Sequence, residues 1–399
     1  MKILYLTTVL PSERKTGGEI ASQCFIDALK QDGHKVLVVG YQRQGDVLLN
    51  SLADEMSVGQ RHIETGKSKF RACFWMILSF ITRLPYSSAK YYSPAYKNAI
   101  AKLLAQYNYD IVILDHAQLG WLLPFIDKKL PIIFMAHNIE QELYREQSEK
   151  TISKFWQYIY KRESRLIQEM EETLAKRSES VWTFTTHDGN YFSTINPDTR
   201  VFHLPSSAIE LESPTTLRKN CDIGIIGSWT WKANMLGLKW FFQTVYPHLP
   251  KHLSIQVAGK GAEWLEGRYC NVKYCGFVPD AQEFMSQAKV IAIPSVSGGG
   301  VQIKTLNAIA SGSAIVATPV AMRGISDYPA SIKVAENPKD FATYLIQMLS
   351  LSHKHTSCDH KMTDFQQINL LWSHKRRENF LADVKYAVKN FSRNMGCGV

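Results

Sequence analysis

Short apolar runs alternate with longer amphipathic stretches along most of this chain. Apolar runs bounded by turn residues are typical of buried parallel strands, and stretches with a period near 3.6 residues are typical of helices. In the first half the apolar runs are residues 2–8, 35–39, 110–114, 132–135, 181–185 and 200–204. In the second half they are residues 222–226, 253–258, 271–276, 290–293 and 314–317. Strands that alternate with helices predict an α/β protein with two doubly wound parallel sheets in series.

The amphipathic stretches and the polar segments predict where the domains end. The predicted helices are residues 20–30, 152–178, 240–246, 301–311, 341–351 and a long one at 361–391. Residues 205–221 are polar, rich in Ser and Thr, and contain proline, which is typical of a linker. We therefore predict a first domain at 1–205, a second at 206–375 and a C-terminal helical segment at 376–399.

The stretch with the clearest chemical signal is residues 290–319, VIAIPSVSGGGVQIKTLNAIASGSAIVATP. It predicts a strand, a turn and a helix that ends at a glycine. The turn consists of Gly298, Gly299 and Gly300. Glycines let the backbone approach a ligand closely, and the unpaired N–H groups of a helix's first turn favour an anion. Lys304 and Asn307 follow on the same side of the helix, so this is a predicted phosphate site. The alternative is a loop whose glycines provide only flexibility.

Residues 294–319 resemble the donor-binding signature of the family-4 nucleotide-sugar glycosyltransferases, which have the GT-B fold. The resemblance implies two Rossmann-like domains that face each other across a cleft, and a C-terminal helix that crosses back to the first domain. In that family a Glu–x7–Glu pair contacts the donor sugar and the ribose. The matching positions here are Gly299 and Asn307, so both carboxylates are absent. The resemblance is most specific over residues 222–325.

The resemblance also implies roles for other residues of the second half. Gly227 and Ser228 follow its first strand, and Lys232 lies where family members often place a basic residue for the donor diphosphate. Residues 276–280 resemble the turn whose backbone meets the nucleobase, near Val278. The predicted donor-binding residues are therefore Gly227, Ser228, Lys232, Val278, Gly298, Gly299, Gly300, Lys304 and Asn307.

Three further candidates follow strands of the first half, at the sheet edge where parallel α/β folds bind ligands. Gly17 and Gly18 lie in the loop after the first strand, which is too long for the tight turn of a dinucleotide site. His116 and His137 follow two later strands. A lone histidine is more often structural than functional. The resemblance implies that His137 is the catalytic residue that contacts the donor sugar, with Gly17, Gly18 and His116 on the acceptor side.

The formal net charge of +10 is concentrated in residues 65–109, which contain no acidic residue. The basic residues there are Lys67, Lys69, Arg71, Arg83, Lys90, Lys97 and Lys102. Because many aromatic residues accompany them, the segment suits an anionic membrane surface or a phosphate-bearing lipid. The alternative is that residues 73–81 form a buried helix with solvated lysines at its ends. Nucleic acid is not an expected partner, since no helix-turn-helix, RNP-type or zinc signature is present.

Cysteine spacing and hydropathy indicate the cellular compartment in which the protein is expected. The seven cysteines have neither metal nor disulfide spacing, which indicates a reducing compartment. No run of about 20 uncharged apolar residues predicts a membrane-spanning helix, and residues 1–6 lead into the first strand without a secretory pattern. We expect a cytoplasmic protein, at the inner face of the membrane where the basic segment binds lipid. We expect neither a metal nor a cofactor.

The resemblance implies an enzyme that moves a sugar from a UDP- or GDP-sugar to a hydroxyl acceptor. The acceptor would be a lipid-linked or glycan intermediate of cell-surface polysaccharide, and the anomeric configuration would be retained without a metal. Two alternatives remain open. The absent Glu pair is compatible with a scaffold that binds nucleotide or a partner without transfer, and the same fold also supports nucleotide-sugar epimerases.

Overall fold

The structure is a computed structural model that describes residues 1–14, 16–44, 54–62, 69–206, 219–354 and 364–396. Lys67, Cys358, Cys397 and most of the predicted linker lie outside these ranges. The chain divides into two compact units. The first unit comprises Met1–Phe202 and Asp383–Val399, and the second comprises His203–Ala382.

The first unit is built on a seven-stranded sheet whose paired strands are all parallel. Its elements in chain order are β1 (Lys2–Val9), α1 (Gly17–Gln31), β2 (Lys35–Arg43), β3 (Glu55–Arg61), α2 (Lys69–Thr82), α3 (Tyr86–Ala89), α4 (Pro94–Gln106), β4 (Ile111–Asp115), β5 (Ile132–Met135), α5 (Glu140–Lys150), α6 (Lys154–Arg177), β6 (Ser180–Thr183), α7 (Thr186–Ser193) and β7 (Thr199–Val201). The order across the sheet is β3-β2-β1-β4-β5-β6-β7. The expected doubly wound sheet is confirmed.

Burial explains which strands of this sheet were recognisable in the sequence. Every residue of β4 and β5 is buried, as the continuous apolar runs required. Sequence patterning did not indicate β3, whose segment EMSVGQR is partly exposed along its length. An edge strand needs no continuous apolar run because only one of its sides pairs with the sheet.

The second unit contains a six-stranded parallel sheet. Its elements are β8 (Cys221–Ile226), α8 (Lys232–Trp240), β9 (Ile255–Ala258), β10 (Val272–Gly276), α9 (Ala281–Ser286), β11 (Ala288–Ile293), α10 (Ile303–Ala310), β12 (Ala314–Ala317), β13 (Ile332–Val334), α11 (Pro338–Lys354) and the beginning of α12 (Asp364–Gly396). The residues of α12 from Asp383 onward belong to the first unit. The order is β10-β9-β8-β11-β12-β13. The second predicted sheet and the long final helix are also confirmed.

One helix of this unit differs from its predicted position. The apolar cluster predicted a helix at residues 240–246, whereas α8 begins at Lys232 and ends where the cluster starts. A π-helical turn, Phe241–Val245, continues it and buries Phe241, Phe242 and Val245. The apolar residues therefore mark the buried end of a longer helical segment whose beginning is polar and exposed.

Each sheet has one point at which the strand order reverses direction. In the first unit it lies between β1 and β4, and in the second between β8 and β11. The connections on either side of such a switch point diverge to opposite faces of the sheet, which leaves a crevice outside the carboxyl ends of the two strands. The loops after these four strands are therefore the places where each unit is built to bind a ligand.

Helix α2 is not buried, so the alternative proposed for residues 73–81 is wrong. It buries Trp75 and Ser79, while Phe74, Ile77 and Ile81 are exposed. A helix with one buried and one exposed apolar face packs at the surface of the unit and is not part of its core. Within the described ranges, no helix has both the length and the hydrophobicity needed to cross a bilayer.

Candidate functional site

At the switch point of the first unit, a buried carboxylate connects four neighbouring side chains. Asp115 is the last residue of β4 and is fully buried. One of its oxygens, Oδ2, accepts hydrogen bonds from Thr7 Oγ1 at 2.9 Å and Ser22 Oγ at 2.6 Å. The other, Oδ1, lies 2.6 Å from His137 Nε2 and 3.0 Å from His116 Nδ1. Four partners from four parts of the chain therefore hold this carboxylate in place.

The pKa values of the three titratable groups in this cluster are shifted in different directions. Burial alone would raise the pKa of Asp115, but His116 and His137 outweigh it and hold that pKa well below its usual range. Burial and the neighbouring His116 lower the pKa of His137 to about 4, against the opposing effect of Asp115. Burial also acts to lower the pKa of His116, but Asp115 outweighs it and the pKa is raised. At neutral pH Asp115 is thus ionised and His137 is neutral.

The ionised carboxylate determines which imidazole nitrogens remain for a ligand. The histidine nitrogens that face Asp115 must carry protons, because a carboxylate can only accept. Neutral His137 therefore has a free acceptor at Nδ1. Because the pKa of His116 is raised, its Nε2 is a donor when the ring is protonated and an acceptor when the ring is neutral. A Cβ atom built on Gly18 would lie 3.5 Å from His116 Nε2 and 3.8 Å from His137 Nδ1. The two rings are 3.8 Å apart between centroids, so both free nitrogens border the space beside Gly18.

The backbone of His116 is strained at this position. Its φ of 85° and ψ of 138° lie outside the regions that residues other than glycine readily adopt. Such a conformation costs roughly 1–3 kcal/mol and persists where surrounding contacts determine it. Here the backbone N–H donates to the Met135 carbonyl at 3.1 Å and the ring contacts Asp115. Backbone strain of this kind is concentrated at functional sites.

Gly17 and Gly18 open helix α1, directly after the cap residue Thr16. The Thr16 side chain accepts a hydrogen bond from the Glu19 N–H at 3.4 Å. The Ser22 hydroxyl, which contacts Asp115, also lies 3.0 Å from the Gly18 carbonyl oxygen. Gly18 thus lies next to both predicted histidines, and Gly17 precedes it at the start of the helix.

Asp115, His116 and His137 also offer three metal-ligand atoms within 4.8 Å of one another. The hydrogen bonds described above already occupy both oxygens of the carboxylate. A metal ion would have to replace the two protons that join Asp115 to the imidazoles. The donor set of the cluster is accounted for by an ionised carboxylate with four hydrogen-bond donors.

In the second unit, the loops after β8 and β11 meet through a lysine. Lys304, in the first turn of α10, donates a hydrogen bond from Nζ to Asn234 Oδ1 at 3.0 Å. The Asn234 amide in turn donates to the Ser228 carbonyl at 3.1 Å. Burial lowers the pKa of Lys304 to about 8. The Asn234 amide that Lys304 contacts is neutral, so this partly buried ammonium is suited to an incoming anion.

The glycine turn before α10 has the conformation that its sequence indicated. Gly298 and Gly300 have φ of 122° and 63°, which side chains rarely tolerate, whereas Gly299 is not among the glycines with positive φ. The Arg323 guanidinium donates to the Gly298 carbonyl at 2.7 Å. The turn is therefore fixed by two glycines with positive φ and one arginine, whereas the backbone conformation of Gly299 does not require a glycine.

A second link joins the nucleobase-type turn to α10. Gln282 Nε2, at the start of α9, donates to the Asn307 carbonyl at 3.1 Å. The Ser206 hydroxyl donates to Asn307 Oδ1 at 3.1 Å. Half-buried Val278 lies four residues before Gln282, and its neighbour Phe277 is exposed. Hydrogen bonds therefore link α10 to Ser228 through Asn234 and to α9 through Gln282, all within one unit.

Gly227 occupies a close backbone contact after β8. A Cβ atom on Gly259 would lie 1.8 Å from the Gly227 carbonyl oxygen, so these two loops can touch only because Gly259 is a glycine. Trp229 is buried beneath them and donates from Nε1 to the Ala258 carbonyl at 2.9 Å. Lys232, the first residue of α8, is exposed. The residue that contacts Lys304 in this turn is Asn234.

Sequence reasoning missed several residues of these sites, among them Asp115, Asn234 and Arg323. Asp115 could have been recognised from its position, because it is a polar residue at the end of an apolar strand and directly precedes His116. Asn234 stands two residues after Lys232, in a turn already under consideration. Arg323 lies in the loop after β12, and nothing in its local sequence indicated a contact with a glycine turn 25 residues earlier.

Comparison with known families identifies the second unit. Residues 220–351 match the family model described as glycosyl transferases group 1. No curated protein matches the chain in sequence. The matched residues include all of the loops that connect Lys304, Asn234, Gln282 and Asn307.

Solved structures match the whole chain. Sucrose-phosphate synthase from Thermosynechococcus elongatus has a TM-score of 0.67 at 12% identity, with 100% of each chain covered. The Anabaena protein HepE, solved with UDP and glucose, has a TM-score of 0.60 at 14% identity, with 99% of this chain and 100% of that chain covered. WaaG, a glycosyltransferase involved in lipopolysaccharide biosynthesis, has a TM-score of 0.57 at 14% identity, with 97% and 98% covered. At these identities the likeness establishes the fold.

The class is therefore that of enzymes with two parallel α/β sheets and a long final helix, the GT-B fold. Residues 220–351 match the group 1 glycosyl transferases, and the GT-B fold expected from the family-4-like resemblance is confirmed.

Proposed function

We propose that this glycosyltransferase moves a sugar from a nucleoside diphosphate sugar, a UDP- or GDP-sugar, to the hydroxyl group of an acceptor. The observation that carries the proposal is the environment of Lys304. Its ammonium group lies in the first turn of α10, after a turn that requires Gly298 and Gly300, and it contacts the neutral amide of Asn234. A cation and unpaired helix N–H groups together stabilise the negative charge that develops on a departing diphosphate.

The two absent glutamates bear on which donor is used. Asn307 offers a neutral amide where the family has a carboxylate, and a neutral acceptor makes weaker hydrogen bonds to hydroxyls. Its Oδ1 is already engaged by Ser206. We propose that Asn307 still contacts the nucleotide. Gly299 leaves room for a donor sugar that is bulkier or more acidic than glucose, such as an N-acetyl sugar or a uronic acid, which a Glu at this position would repel.

In the first unit, His137 is the proposed catalytic residue, in the sense that its Nδ1 accepts a hydrogen bond from a hydroxyl of the transferred sugar. His116 and the glycines at 17 and 18 are proposed to meet the acceptor. Retention of the anomeric configuration is proposed on family resemblance. In a retaining transfer the acceptor hydroxyl approaches from the same face as the departing diphosphate, which can accept the proton of that hydroxyl. No metal has a role in this scheme, since Lys304 and helix α10 supply the positive charge.

The proposed acceptor is a lipid-linked or glycan intermediate of cell-surface polysaccharide. Support comes from the basic and aromatic composition of residues 65–109, which suits peripheral contact with an anionic membrane. We place the protein in the cytoplasm, at the inner face of the membrane. The free thiols of Cys73, Cys221, Cys270 and Cys275 are consistent with a reducing compartment.

The test is to incubate the full chain with a panel of UDP- and GDP-sugars, with and without a lipid extract, and to measure the release of nucleoside diphosphate. Release that depends on the extract supports transfer, and NMR of the product's anomeric proton reports retention or inversion. An inverted product would assign His137, backed by Asp115, as a general base. Two outcomes overturn transfer. Binding of UDP without turnover on any donor indicates a scaffold, and isomerisation of the donor sugar without an acceptor indicates an epimerase.

A further inference from the structure

Helix α2 presents a row of apolar side chains to solvent. Phe70, Phe74, Ile77 and Ile81 are spaced by four, three and four residues, so they share one face of the helix. Their exposed fractions are 86%, 58%, 54% and 76%. A contiguous exposed apolar stripe of this kind is unusual on a protein surface and marks an interaction site.

The start of helix α6 carries a second exposed group. The side chains are Ile152 in the preceding loop, then Phe155, Trp156 and Tyr158, with exposed fractions of 98%, 64%, 47% and 65%. Further along the helix Ile159 and Ile167 are buried, but the first turn contributes its aromatic side chains to the surface.

Arg162 joins the two groups into one surface. It donates from Nη1 to Ser79 Oγ at 3.0 Å and from Nη2 to the Ser79 carbonyl at 2.9 Å. Its guanidinium also lies over the ring of Phe80, 4.1 Å from the centroid. Because Ser79 is buried in α2 and Arg162 belongs to α6, the two helices are held together at this point.

The exposed charges within the two segments that carry these side chains are basic. Residues 70–109 and 151–162 contain no acidic residue. Arg71, Arg83, Lys154 and Lys161 are exposed within these segments. A second copy of the chain would bring the same basic surface against itself, which like-charge repulsion opposes. A bilayer with anionic headgroups offers the complementary charge together with an apolar interior.

We infer that α2 and residues 152–158, called here the two-helix surface, insert their apolar side chains into an anionic bilayer. The inference deepens the membrane contact proposed for residues 65–109 and rests on that part of the proposed function. It adds a second element, α6, that composition had not assigned to the membrane. Because apolar insertion supplements the attraction of charges, binding should persist in part at salt concentrations that screen the basic residues.

The test uses co-sedimentation of the full chain with vesicles of phosphatidylcholine and phosphatidylglycerol, and with phosphatidylcholine alone. Phe70→Ser/Phe74→Ser changes α2, and Ile152→Ser/Phe155→Ser changes α6. Each pair should weaken binding to the mixed vesicles by about tenfold or more, since each removes two large apolar side chains from the bilayer. Leu236→Ser/Leu371→Ser, two exposed leucines of the second unit, should bind as the native chain does.

Hydrogen exchange gives an independent readout at each helix. Mixed vesicles should protect peptides from α2 and from residues 152–158. Native-like binding by the Ile152→Ser/Phe155→Ser variant would remove α6 from the surface. Absence of vesicle binding at low salt would overturn the inference, and a dimer lost in the same variant would assign the surface to a second copy. UDP binding, measured by calorimetry without vesicles, tests the donor site separately, so failure of either proposal is recognisable.

Discussion

The two switch points of this chain differ in the sign of their buried charge and in how that charge is compensated. In the first unit, the charge of Asp115 is satisfied internally by two hydroxyls and two imidazoles. In the second, Lys304 contacts the neutral amide of Asn234. The first site is therefore complete before a ligand arrives, whereas the second has a charge that a ligand can neutralise.

The difference teaches what each site contributes. A closed hydrogen-bond cluster orients side chains, because every proton position is determined by the carboxylate at its centre. A desolvated cation favours the binding of an anion, because the anion replaces the interactions with water that the cation lost on burial. We therefore expect changes in the first unit to affect rate more than nucleotide affinity, and changes at Lys304 to affect affinity first.

The largest expected effect is that of Asp115→Asn. Without the carboxylate, neither imidazole has a fixed proton, so the rate of transfer should fall by about a hundredfold, and loss of the buried hydrogen bonds should cost about 1–3 kcal/mol of stability. UDP affinity should be unchanged. Steady-state kinetics and calorimetry measure the two effects. Asp110→Asn, near the other end of β4, is the matched control, and a rate equal to that of the native enzyme would contradict the role of Asp115.

The second effect is on nucleotide affinity. Lys304→Met removes the charge while keeping an apolar side chain, and UDP affinity should fall by about 10- to 100-fold, the scale of a charge-assisted hydrogen bond. The exposed Lys232→Met is its control. Because burial lowers the pKa of Lys304 to about 8, UDP affinity of the native protein should also fall as pH rises through that value. Equal affinity of the native chain and Lys304→Met in calorimetry would remove Lys304 from the donor site.

The third effect concerns stability and pH in the first unit. The pKa of His137 is lowered from 6.5 to about 4, so between these values the unfolded chain binds more protons than the folded one. The free energy of unfolding should therefore decrease by about 2–3 kcal/mol as pH falls from 6.5 to 4. Urea unfolding at several pH values measures it. His137→Gln should flatten this dependence, while the exposed His187→Gln should leave it unchanged; equal slopes for both variants would refute the assignment.

The smallest effect is a change of donor preference. Gly299→Glu is compatible with the backbone, since Gly299 is not among the glycines with positive φ. The new carboxylate would bind sugar hydroxyls more strongly and repel an acidic donor, so relative activity should shift a few-fold towards neutral hexoses. The donor panel measures the shift. A native enzyme that already prefers a neutral hexose, and that the new Glu improves further, would argue against a bulky or acidic donor.

Sequence patterning was sufficient for the sheets because their central strands are buried on both faces. β4, β5 and β12 are continuous apolar runs, and periodicity detects such runs directly. The half-exposed β3 carries no such signal. The start of α8 was missed for a similar reason, since its first turn is polar and exposed.

The candidate sites were predictable only as far as local chemistry extends. The glycine turn, Lys304 and His137 stand beside strand ends, where the sequence alone marks them. Asp115 and Thr7 are 108 residues apart, and Asn234 and Lys304 are 70 apart. Pairings at such separations arise from strand order, which places distant loops at one sheet edge. Residue type and spacing cannot supply them.

The four hydrogen bonds to Asp115 also determine how freely this enzyme can evolve. They tie the first site to β1, α1 and the core, so a substitution there changes folding and turnover together. Gly299 in the second unit is not bound to its glycine conformation, and Asn307 is only half-buried. We therefore expect new donor specificities to be accessible by single substitutions in the second unit, and substitutions around Asp115 to be tolerated less often.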